Sequence, residues 1–110
     1  MTTKITEKNI SSIANTAVQW QSVHVADGST ALTTSAGKGY FIDTTSAAQT
    51  VNLPSVDDST LGDTIVLKDF ARKWDTNNVT IAANTFEGTS GASNTRTFNT
   101  KGQTVTLVFT

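Results

Sequence analysis

The apolar residues of this chain come in short alternating bursts, each closed by a cluster of Gly, Asn, Asp or Ser, with turn signals at roughly ten-residue intervals. Such bursts suit strands. A helix would need apolar positions recurring at three and four over a longer stretch, and no segment beyond a doubtful N-terminal one offers that. The spacing predicts seven or eight short strands, the pattern of a β-sandwich or barrel.

Gly37 to Pro54 shows the grammar most plainly. Tyr40-Phe41-Ile42-Asp43 and Thr50-Val51-Asn52-Leu53 are joined by the small polar linker Thr44 to Gln49, which reads as a β-hairpin or a pair of neighbouring strands. Pro54 closes it, because proline cannot donate to a ladder. Val18 to Val25 precedes it as a strand with apolar residues on both faces, Val18 and Trp20 on one and Val23 and Val25 on the other. Either both faces are partly covered or a bulge lies near Ser22. Asp63 to Phe70 is the most apolar strand and is expected at the centre of a sheet. Arg96 to Phe98 and Thr104 to Thr110 read as a second hairpin around Asn99 to Gly102. Because no turn or cap follows Thr110, the last strand reads either as a central one or as the end of a chain shorter than its relatives.

About a fifth of the residues are threonine, which is stiff at χ1 and suits the wet face of a pleated sheet. The chain has 110 residues, enough for one domain with a single modest core. Its net charge is −1, and its basic residues are scattered, with no cluster larger than Arg72-Lys73, so a nucleic-acid or anionic-membrane surface is not expected. Without cysteine, disulfides and thiolate metal sites are excluded. No apolar run reaches the length of a membrane-spanning helix or a secretory signal. Residues 1–16 are polar with isolated Ile5, Ile10 and Ile13, and read either as an extended or short-helical arm structured against a partner or as a frayed terminus, ahead of a β-domain over residues 17–110.

Chemistry-bearing residues are few. His24 stands alone beside Val23 and Val25, where a surface or satisfied structural role outweighs a metal or triad role that would need partners. Gly37-Lys38-Gly39 lacks the spacing and the helix of a phosphate loop and reads as a turn. Asp57, Asp58 and Asp63 lack EF-hand spacing and read as a solvated turn. Glu87 is one of two glutamates and has no aromatic cleft suggested around it. No catalytic residue, metal site or cofactor is therefore assigned, and an enzyme is the weakest reading. Trp20 is expected to be buried on its strand. Trp74, among Arg72, Lys73 and Asp75, is expected at a subunit interface in preference to an exposed sugar-stacking site. Tyr40 and Phe86, the latter in a polar loop over one end of the core, are further candidates for interface or glycan contact.

The blocks AGKGYFIDTTS (Ala36 to Ser46), TVNLP (Thr50 to Pro54), GDTIVLKDF (Gly62 to Phe70), WDTNNVTI (Trp74 to Ile81), FEG (Phe86 to Gly88) and QTVTLVF (Gln103 to Phe109) together resemble a β-domain of tail-fibre and related virion proteins of tailed bacteriophages, especially those of aquatic hosts. The resemblance covers roughly Leu32 to Thr110. It implies a non-enzymatic, usually trimeric structural module of the virion, often attached to the tail or baseplate through its N-terminal segment. The expected fold is then an all-β, antiparallel, jelly-roll-like sandwich that buries its edges against copies of itself. Ile5, Ile10 and Ile13 are the residues expected to dock the arm on a tail or baseplate protein. A carbohydrate-binding module for the host surface and a head-decoration or collar protein stand as alternatives.

Overall fold

The computed structural model describes residues 18–82 and 95–110. The described residues form β-structure throughout, apart from a single 3₁₀ turn at Val56–Asp58. The strands in chain order are β1 (Gln19–Trp20), β2 (His24–Val25), β3 (Leu32–Thr33), β4 (Lys38–Asp43), β5 (Gln49–Asn52), β6 (Thr64–Asp69), β7 (Val79–Ala82), β8 (Thr95–Phe98) and β9 (Thr104–Val108). Two sheets result. One runs β1-β4-β6-β9, with β2 also on β4, and the other runs β3-β5-β7-β8.

The chain changes sheet at almost every corner. From β4 it crosses to β5, returns to β6 and crosses again to β7, so β4 pairs with β6 and β5 with β7, both parallel. Parallel neighbours usually need a helical crossover to bring the chain back to the start of the next strand. Here the strand of the opposite sheet does that job, and the result is a two-layered coil. β1, β2 and β3 belong to the coil turn before it and also pair parallel, with β4, β4 and β5 respectively. Among the described strands only the β6–β9 and β7–β8 pairs are antiparallel.

This corrects the expected antiparallel, jelly-roll-like pairing. Tyr40–Asp43 and Thr50–Asn52 lie in different sheets and form no hairpin. The linker between them is a corner: Asp43 Oδ1 accepts the N–H of Thr45 at 2.9 Å and its hydroxyl at 2.6 Å, so the chain leaves the sheet instead of folding back along it. The strands flanking Asn99 to Gly102 likewise part, β8 to one sheet and β9 to the other. Among the described residues β9 is an edge strand, while β6 has the expected interior place between β4 and β9.

The bulge near Ser22 is real. Trp20 pairs with Gly39 and His24 with Ile42, so the three residues Gln21, Ser22 and Val23 stand against two, Tyr40 and Phe41. That extra residue reverses which side chains face inward, so Trp20, opposite Gly39, and Val25, opposite Asp43, share the outer face although an unbroken strand would set them on opposite ones.

The two sheets share one core. Tyr40, Ile42, Ile65, Leu67 and Val105 from the first meet Val51, Val79 and Ile81 from the second, and Trp74 enters from the connection between β6 and β7. Leu32, Leu53, Phe98 and Leu107 pack around this cluster. Period-two alternation sends these residues inward and their neighbours to solvent.

Candidate functional site

Two features stand out from the neutral scaffold: a cluster of rings on the outer face of the β1-β4-β6-β9 sheet, and an acidic set of corners at one end of it. Trp20 and Phe41 stack with ring centroids 4.4 Å apart and an interplanar angle of 18°. Phe70 meets Phe41 edge-on at 6.0 Å. The outward rows Trp20–Gly39–Val66–Thr106 and Phe41–Lys68–Thr104 fix where these side chains stand.

Gly39 makes the arrangement possible. A Cβ at that position would sit 2.7 Å from Trp20 Cε3, so the indole can lie flat on β4 only because its neighbour has no side chain. Trp20 remains 45% exposed and Phe70 52%. Burial of Trp20, the expectation from its strand, is thus not found: the bulge after it turns it to the outer face.

The corners follow one device. Asp27 Oδ1 accepts the N–H groups of Ser29 and Thr30 between β2 and β3, Asp43 caps the corner from β4 to β5, and Asp69 caps the connection from β6 to β7. Asp69 is buried and receives N–H groups from Lys73 at 3.0 Å, Trp74 at 3.1 Å and Gly102 at 2.8 Å. Burial pushes its pKa up, but the N–H groups of Gly102, Lys73, Trp74 and Arg72 together outweigh it and leave the carboxyl below its ordinary value. The Asp43 pKa is lowered chiefly by its bonds to Thr45. The N–H groups of Thr30 and Ser29 hold Asp27 at about 2. Arg72 supports the same loop from the left-handed region, at φ 60°, with its guanidinium over Gly102.

A second polar link joins the sheets. Gln49 is buried on β5, and its Nε2 donates to the carbonyls of Thr30 and Thr50. Its Oε1 is therefore the acceptor toward His24 Nε2 on β2, 2.9 Å away, which fixes His24 as the donor. His24 is thus a satisfied structural residue.

The candidate contact residues fall as follows. Trp74 is fully buried, because the bonds from Lys73 and Trp74 to Asp69 turn its ring between the sheets; it is neither an exposed anchor nor a sugar platform. Tyr40 is a core residue whose hydroxyl accepts the N–H of Ser35 at 2.8 Å. Phe86, Glu87, Ile5, Ile10 and Ile13 lie outside the described residues. Asp58 accepts the Ser55 hydroxyl and Asp63 the Thr60 N–H, both as turn caps. The Trp20–Phe41–Phe70 cluster was missed by sequence reasoning. Aromatic residues at Trp20 and Phe41, with Gly39 two positions before Phe41, were the available signal, but it becomes legible only once β1 is known to pair parallel with β4.

A sequence model of the family described as "Bacteriophage T4 gp9/10-like protein, N-terminal" matches residues 3–109. No curated protein matches the chain.

Proposed function

Because the chain belongs to the bacteriophage T4 gp9/10-like family through its N-terminal domain, a family of phage virion structural components of tail and baseplate, we propose that it is an attachment module of a tail fibre that docks to the tail or baseplate as a homotrimer. The observation that carries the assembly reading is the ring cluster of Trp20, Phe41 and Phe70, held half-exposed on a face otherwise lined by threonine, valine and Lys68, whose ammonium is turned to the Gly102 carbonyl. Aromatic residues on a surface with little charge are the composition of an interface centre. In this reading the rings pack against a sibling copy, and residues 1–16, with Ile5, Ile10 and Ile13, grip a neighbouring virion protein, three arms binding together with the gain of multivalency. No catalytic role and no cofactor enter it.

The test has two arms. Light scattering on the isolated chain is expected to give three times the monomer mass or a multiple of it, and Phe41→Ser with Phe70→Ser is expected to break the threefold unit while leaving the circular dichroism unchanged. Labelling of intact particles is expected to place the chain at the tail. A wild-type monomer at micromolar concentration removes the trimer, and label confined to head or collar removes the fibre assignment. With Tyr40 and Trp74 in the core, a carbohydrate-binding reading keeps no described contact residue of its own and is not advanced.

A further inference from the structure

The described sheets present four edges, and three of them carry a device that discourages further pairing. β1 and β2 are two residues each, interrupted by the bulge at Gln21–Val23. β3 is two residues long. β8 places the charge of Arg96 within a four-residue strand. Short strands, bulges and edge charges are the usual protections against edge-to-edge association.

β9 has none of them. Thr104-Val105-Thr106-Leu107-Val108 is five residues without charge, proline, glycine or bulge, paired in continuous register with β6. The Asp69 N–H donates to the Gln103 carbonyl and the Phe109 N–H to the Asp63 carbonyl, so the odd-numbered residues of the strand turn their main-chain groups to β6. The N–H and C=O groups of Thr104, Thr106 and Val108 consequently project away from β6, where no described strand pairs with them.

We propose that this edge is a self-association site that takes the β9 strand of a second copy, antiparallel about a two-fold axis at Thr106. The strand is self-complementary in that register. Thr106 lies opposite its own copy and Thr104 opposite Val108, so every outward N–H meets an outward C=O. On the other face Val105 lies opposite Leu107, and the half-buried Leu107 gains an apolar neighbour. No like charges face each other, which is what admits pairing with itself. The contact does not rest on the threefold reading: alone it gives a dimer, and combined with a trimer it sets two trimers back to back.

Sedimentation of the full chain tests it. Wild type is expected at twice the mass of Thr106→Lys, whose two ammonium groups would face each other and weaken pairing by about tenfold or more. An equimolar mixture of Thr106→Lys and Thr106→Glu is expected to regain the doubled mass. In a hydrogen-bonded antiparallel pair the two Cα atoms at position 106 lie about 5.5 Å apart, within disulfide range, so Thr106→Cys is expected to give a covalent pair of copies on oxidation. Equal masses for wild type and Thr106→Lys, or no covalent pair from Thr106→Cys, overturns the proposal. A threefold mass that Thr106→Lys leaves intact supports the trimer alone and equally overturns the edge contact.

Discussion

Asp69 Oδ2 accepts the N–H of Gly102 at 2.8 Å across thirty-three positions of chain, 33 in sequence separation. The same carboxylate receives the N–H groups of Lys73 and Trp74. One side chain therefore fixes both the connection that delivers Trp74 to the core and the turn that delivers β9 to its place beside β6.

Replacing it should be costly. Asp69→Ala leaves buried N–H groups without an acceptor, and a loss of about 2–4 kcal/mol is expected in chemical denaturation. Asp69→Asn keeps one acceptor oxygen and should fall between that variant and wild type.

The three capping carboxylates also set a pH dependence. Each has a pKa lowered in the folded state, Asp27 from 3.8 to about 2 and Asp43 and Asp69 in the same direction. In the acid range the unfolded chain then binds more protons, so their contribution is fully present above the ordinary carboxylate value and fades as pH falls through the lowered ones. The denaturation midpoint is expected to stay level from neutrality down to about pH 5 and to fall below about pH 4. A midpoint that rises on acidification contradicts this.

Gly39 and Trp20 should behave as a pair. Gly39→Ala puts a methyl group into the space of the indole, which must swing away, and is expected to cost about 1 kcal/mol and to shift Trp20 fluorescence. In a Trp20→Ala background the same substitution should cost far less, a coupling that a double-mutant cycle reads directly.

The two tryptophans should differ sharply. Trp74→Ala empties a fully buried site and is expected to destabilise by about 3–5 kcal/mol. Trp20→Ala removes a half-exposed ring and one stacking contact, for about 1 kcal/mol. Equal costs would mean that the burial of Trp74 is mis-assigned.

Much of the fold was legible one residue at a time. Alternation placed Tyr40 and Ile42 on one face and Phe41 on the other. The mismatch of faces around Ser22 left a bulge as one of two readings, and Asp27 stood at a turn, whereas Asp43 and Asp69 read as strand residues and became corner caps only in the structure. The rings of the outer face were not legible as a cluster. Trp20, Phe41 and Phe70 come from three separate stretches, and their meeting depends on strand pairing.

What the amino-acid order determined by itself is the β class, most strand and turn positions and, within an unbroken strand, which side chains share a face, because these follow from local backbone sterics and a period of two. What tertiary structure alone decided is which strands are neighbours and in which direction. A corner of small polar residues serves equally to fold a strand back beside its predecessor or to carry it across to the opposite layer. The choice here rests on Trp74 filling the gap between the layers and on one buried carboxylate gathering N–H groups from distant parts of the chain. No local pattern encodes those partners, since an acceptor's worth depends on which donors the rest of the molecule brings to it.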